Sequence, residues 1–116
     1  IEVSENNGVA LSLNSDDWKE RQLHNPGVII DVRTPDEWQT GTIAGANLIN
    51  VFDVDFIPKV EAMQEDKDLP VFIYCRSGNR SKQALEILKK EGYTQIYELN
   101  QGIIGWEEDG NSITKK

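Results

Sequence analysis

At 116 residues, with 38% hydrophobic and 28% charged side chains, the chain has the composition of one globular domain and not of a disordered tail. Its formal net charge of -8 leaves no broad basic face for a phosphate backbone, which argues against nucleic acid as a partner. A single cysteine can form no internal disulfide, a single histidine completes no Cys/His metal set, and no run approaches the ~20 apolar residues of a membrane span.

The predicted domain spans residues 1–116, with a loosely held segment 1–8 and a C-terminal tail 110–116. The sequence starts at Ile1 without an initiator Met or a visible signal peptide. The expectation is a soluble protein, cytoplasmic or periplasmic, whose upstream segment, whether a targeting one or not, has been removed or omitted. Val9, Leu11 and Leu13 alternate as in a short strand. Ser15 or Asp16 then caps a helix to about Leu23, which Asn25-Pro26-Gly27 stops. Val28, Ile29 and Ile30 form an apolar run ended by Asp31, the pattern of a strand covered on both faces. Thr34-Pro35-Asp36-Glu37 reads as a compact helix start, with Thr34 as cap, Pro35 first and Glu37 third.

A strand from Asn47 to Val51 follows Gly41 and Gly45. Phe56, Val60 and Met63 then recur at i, i+4 and i+7 on a helix, with Met63 expected in the core. Val71 to Tyr74 is the most apolar strand. After it, Ala84, Leu85 and Leu88 mark the buried stripe of a helix ending at Gly92. Ile96, Tyr97 and Leu99 form the last strand, and Ile103 and Trp106 a last short helix. The alternation implies an α/β fold, a five-stranded, mainly parallel sheet flanked by helices on both faces. Ligands on such sheets bind at the carboxyl ends of the strands, where Asp31, Val51, Cys75 and Asn100 fall.

Cys75-Arg76-Ser77-Gly78-Asn79-Arg80-Ser81 joins the apolar strand to the amphipathic helix and holds the only cysteine. A cysteine attacks as its thiolate, and successive N–H groups of a turn entering a helix N-terminus favour an anion. Gly78 supplies backbone freedom, Asn79 tolerates a left-handed conformation, and Arg76, Arg80 and Lys82 add positive charge in an acidic chain. These residues fit a nucleophilic cysteine with an anionic substrate better than a buried filler.

The same heptad resembles the active-site loop of the rhodanese (thiosulfate sulfurtransferase) family. Asp31-Val32-Arg33-Thr34-Pro35-Asp36-Glu37-Trp38, with Gly41-Thr42-Ile43-Ala44-Gly45-Ala46, resembles that family's upstream signature. Gly102-Ile103-Ile104-Gly105-Trp106 resembles its closing one. The chain departs from the pattern at Thr42, where His is usual, at Ala44, where Pro is frequent, and at Asn100, where Gly is common.

The resemblance implies a sulfurtransferase that works without a metal or other cofactor. Cys75 takes the outer sulfur of thiosulfate, expels sulfite and holds the sulfur as a persulfide. Cyanide, a small thiol or a thioredoxin-like protein then collects it. The N–H groups from Arg76 to Arg80, with Ser77, Gly78, Asn79 and Ser81, would cradle the persulfide. Arg76 would contact the donor anion. Arg80 would hold the loop through a carboxylate such as Asp31 or Glu37, and Arg33 and Trp106 are supporting candidates, Trp106 as a pocket wall or simply as packing. The alternative is a sulfur-relay or partner-binding module with little thiosulfate activity. A cysteine phosphatase or arsenate reductase fits less well, because such loops place five residues between Cys and Arg and only four intervene here.

Overall fold

The computed structural model describes residues 8–115, so residues 1–7 of the expected loose start lie outside it. In chain order the elements are β1 (Val9–Leu13), α1 (Ser15–His24), β2 (Val28–Asp31), α2 (Pro35–Trp38), β3 (Ala46–Leu48), α3 (Phe56–Met63), β4 (Val71–Tyr74), α4 (Asn79–Lys90), β5 (Gln95–Leu99) and α5 (Gly102–Glu108). The five strands form one sheet in the order β1-β5-β4-β2-β3, and every ladder is parallel. The α/β architecture with a five-stranded parallel sheet expected from the alternation is therefore present.

β4 lies at the centre of the sheet, and all four of its residues are buried. Side chains on a strand alternate between faces, so Val71 and Ile73 point one way and Phe72 and Tyr74 the other. The first pair joins Cys75, Ile30, Ile96 and the inner sides of α3 and α4 through Phe56, Val60, Ala84, Leu85 and Leu88. The second pair meets Trp18 of α1, Ile103 and Trp106 of α5, and Tyr97 and Leu99. Each fully buried side chain of this kind contributes about 1.5–3 kcal/mol. A two-sided core explains why β4 reads as a continuous apolar run.

Three local expectations need correction. Asn14, not Ser15 or Asp16, caps α1, its side chain accepting the Asp17 N–H at 2.8 Å, while Ser15 is buried. β3 stops at Leu48 because Asn50 Oδ1 takes the Phe52 N–H and turns the chain. Val51 lies past the strand but stays tied to β2 through its N–H to Val32 O at 3.2 Å. Met63 is 48% exposed, since α3 ends there, and the buried stripe reduces to Phe56 and Val60.

Beyond α5, Trp106 Nε1 donates to Ser112 O, and Thr114 pairs antiparallel with Thr42. This segment ties α5 to the loop between α2 and β3. Among the described residues no helix is long and apolar enough to cross a membrane.

Candidate active site

Cys75 follows the last residue of β4 at the carboxyl edge of the sheet and is 1% exposed. Gly78 is the N-cap of α4 at φ 112°, in the left-handed region. A Cβ there would sit 2.3 Å from Asn100 O, so both the backbone angle and the space require glycine. This bend carries the Gly78 N–H to 3.1 Å from Cys75 Sγ. The helix begins earlier than its apolar stripe indicates: Asn79, Arg80 and Ser81 form the first turn of α4. The sulfur thus lies at a helix N-terminus, where backbone dipoles favour negative charge.

α5 fixes the other flank of the loop. Ile103 N–H donates to Cys75 O at 2.9 Å and Ile104 N–H to Arg76 O at 3.1 Å. Gly102 permits this approach, for a Cβ on it would lie 2.2 Å from Arg76 O. The third sequence motif is therefore a backbone brace for the first.

The supporting residues divide into two groups. Arg80 grips Glu37 with both outer nitrogens, at 2.5 and 2.7 Å, so of the two carboxylates considered for it the structure selects Glu37. Glu37 also accepts the Thr34 N–H and hydroxyl at the head of α2. The Arg80 hydrogen bonds, helped by Thr34 and opposed by burial, hold the Glu37 carboxyl down at about 2. The same partner raises the Arg80 guanidinium.

Asp31 pairs instead with Arg33, at 2.7 Å, and both are buried. Arg33 also donates to Gly41 O, and Tyr74 hydroxyl accepts the Ile43 N–H. Burial opposes the charge of Arg33, but the Asp31 hydrogen bond and charge outweigh it and the guanidinium is raised. Burial, reinforced by Asp31, pushes Tyr74 far above the ordinary phenol range. This cluster anchors the 41–43 loop, and among the described residues none of its side-chain hydrogen bonds runs to the loop from Cys75 to Ser81. Thr42, in place of the usual histidine, keeps that loop tied through its backbone pairing with Thr114.

Trp106 belongs to the cluster on the opposite face of the sheet from Cys75, edge-on to Trp18. That position favours packing over a pocket wall. Arg76, Ser77 and Asn79 are exposed at the mouth of the loop. Arg76 makes no ion pair among the described residues.

Ser81, expected in the cradle, and Glu98, which drew no attention in the sequence, complete the surroundings of the thiol. Ser81 Oγ lies 3.4 Å from Cys75 Sγ and 2.5 Å from the carboxylate of Glu98, which is fully buried on β5 and also receives the Ser12 hydroxyl. The available signal was an acid inside an apolar strand of a two-sided sheet, where an unpaired charge is costly. No group of three or more His, Cys, Asp or Glu among the described residues could hold a metal ion.

A parallel five-stranded sheet with a cysteine cradled at the N-cap of the following helix is the arrangement of a rhodanese-like domain, and the model of that family matches residues 15–109. The chain belongs to the rhodanese-like domain family. It is 39% identical over 86 residues to a sulfurtransferase of Allochromatium vinosum, covering 74% of this chain and 77% of that protein. It is 29% identical over 96 residues to a tRNA uridine(34) hydroxylase of Protochlamydia amoebophila, covering 78% of this chain but only 30% of that longer protein. Among solved structures, a rhodanese-related protein from Thermoplasma volcanium matches with a TM-score of 0.75 and 28% identity, over 90% of this chain and 98% of its own.

Proposed function

We propose that this chain is a sulfurtransferase in which Cys75 carries a sulfane sulfur as a persulfide between a small donor and a thiol acceptor. The observation that carries the reading is the 3.1 Å approach of the Gly78 N–H to Cys75 Sγ at the head of α4. A donor hydrogen bond and a helix N-terminus stabilise a sulfur anion, as an oxyanion hole stabilises developing charge.

With thiosulfate, the Cys75 sulfur attacks the outer sulfur, the S–S bond to the sulfonate breaks, and sulfite leaves with the electron pair. The persulfide anion occupies the cradle. A nucleophile, either a small thiol or a thioredoxin-like protein, then takes the outer sulfur and returns Cys75 to its starting state. Two half-reactions with a covalent intermediate give ping-pong kinetics. Arg76, exposed and unpaired among the described residues, meets the donor anion, while Arg80 is committed to Glu37 and holds the loop.

A second reading, a sulfur relay fed by a persulfide donor, is favoured by the charge at the mouth. In the cysteine loop a thiosulfate dianion meets one cation unpaired among the described residues, Arg76, in a chain of net charge -8, whereas a hydropersulfide demands less compensation.

The test is a thiosulfate-to-cyanide transfer assay on the protein and on Cys75→Ser, together with intact mass after incubation with donor. Transfer lost in Cys75→Ser, with one added sulfur on the parent, supports the transferase. Loading from a persulfide but not from thiosulfate supports the relay. Loading from neither overturns both.

A further inference from the structure

Glu98 is fully buried, faces the same side of the sheet as Cys75, and has no part in the sulfur chemistry above. A carboxylate removed from water needs partners or a proton. From β1, Ser12 donates to its Oε1, and from α4, Ser81 donates to Oε2 at 2.5 Å. Half-exposed Lys82, also on α4, stands 3.6 Å from Oε2. On β4 its neighbour is Ile73, which adds no charge. In the cysteine loop the other charged groups are Arg76, exposed at its mouth, and Arg80, which Glu37 holds.

A serine hydroxyl has one proton to give. Gly78 O, at 3.2 Å, is the weaker competitor for it, and Glu98 is the closer, charged acceptor. With its proton directed to Glu98, Ser81 Oγ presents lone pairs to Cys75 Sγ at 3.4 Å and accepts the S–H. Thiol, hydroxyl and carboxylate form a continuous path.

We propose that Glu98 is the proton acceptor for the Cys75 thiol, reached through Ser81, and that it returns the proton when the sulfur is discharged. This rests on the reading that Cys75 carries sulfane sulfur. During loading the S–H bond breaks, its proton passes to Ser81 Oγ, and the Ser81 proton passes to Glu98 Oε2. The freed electron pair on Cys75 forms the S–S bond to the donor's outer sulfur, and the donor's leaving group, sulfite for thiosulfate, departs with the pair of the bond that breaks. Apart from the two charges that arrive on thiosulfate and leave on sulfite, the negative charge on this path is on Glu98 before the step. Afterwards it is on the outer persulfide sulfur, and Glu98 is neutral. The protein thus never holds a charged Glu98 together with a charged sulfur on Cys75, a pairing that interior electrostatics strongly disfavours. On discharge the acceptor takes the outer sulfur, Cys75 recovers its pair, and the proton retraces the path. Glu98 never touches the donor, so its role is a positioning and proton-holding one.

Two variants of the full chain test it. Glu98→Gln keeps size and hydrogen-bonding reach without the basic oxygen pair, and Ser81→Ala breaks the path while Glu98 keeps Ser12 and Lys82. The rate of Cys75 alkylation by iodoacetamide is followed by intact mass between about pH 6 and 10, alongside sulfur loading from thiosulfate and from inorganic polysulfide. At neutral pH each variant should react at least about tenfold more slowly than the parent, a conservative floor for losing a positioned proton acceptor. The gap should close as hydroxide takes over at high pH, and the double variant should lose no more than either single one. Melting curves show whether each variant is folded. If Glu98→Gln is not, Ser81→Ala decides alone. A folded variant that reacts as fast as the parent overturns the proposal, and so does a faster one, which simple repulsion between Glu98 and a thiolate would give. A parent inert to alkylation at neutral pH overturns it as well. A parent that alkylates with the expected pH dependence but takes sulfur from no donor supports the relay of protons and sinks the sulfur-carrying reading instead.

Discussion

Arg80 and Glu37, 43 positions apart in sequence, meet through two hydrogen bonds of 2.5 and 2.7 Å and clamp the first turn of α4 to the head of α2. The clamp gives the cysteine loop a fixed shape without using a charge that the donor needs. Because the pair is partly exposed, its worth is on the order of 2 kcal/mol after allowance for solvent screening.

The pH dependence of that clamp has a definite sign. The Glu37 carboxyl sits at about 2 in the folded protein against an ordinary 4.5. A depressed carboxyl contributes its full stability above the ordinary value and loses it as pH falls through the folded one. Glu37→Gln should therefore lower the melting temperature at neutral pH and flatten the loss of stability between about pH 4.5 and 2. Equal acid sensitivity in parent and variant would refute the assignment.

Arg76→Ala removes an exposed side chain with no ion pair among the described residues, so melting should stay within about 0.5 kcal/mol of the parent. The Michaelis constant for thiosulfate should rise by about tenfold, the scale of one charge-assisted contact, with turnover little changed. An unchanged constant removes Arg76 from donor binding.

Gly78→Ala must place a Cβ 2.3 Å from Asn100 O at φ 112°. The expected cost is about 1–3 kcal/mol, with sulfur loading impaired because the N–H moves off the sulfur. Gly110→Ala is the control: its φ is +89° but its Cβ meets nothing within 4 Å. It should show strain in the melting curve and normal loading in the mass assay.

Trp106→Ala opens a hole beside Trp18 on the face of the sheet away from Cys75. Stability should fall by about 3–5 kcal/mol. Kinetics measured at a temperature where the variant is still folded should keep the parent's Michaelis constant for the donor. A raised constant would return Trp106 to the pocket wall.

Much of this arrangement was readable in the chain because it depends on neighbours. Val71 to Tyr74 reads as a two-sided strand, Thr34 to Glu37 as a helix head, and Gly78 as a bend, since burial pattern, capping and backbone freedom are properties of short segments. The errors were local competitions of the same kind. Asn14 outcompeted Ser15 for the cap, and Asn50 turned the chain before β3 could reach Val51.

By itself the sequence determined the alternating architecture and the Cys75-to-Ser81 loop between the central strand and its helix. Side-chain periodicity and turn chemistry act over a few residues, and both survive being read without coordinates. Only the tertiary structure decided that Arg80 takes Glu37 while Asp31 takes Arg33, that Trp106 faces away from the thiol, and that Glu98 reaches Cys75 through Ser81. Those choices join residues as much as 86 positions apart, as in Ser12 and Glu98. The last of them follows from strand order: β5 lies between β1 and β4, and that placement sets a buried carboxylate beside both Ser12 and the loop that carries the cysteine.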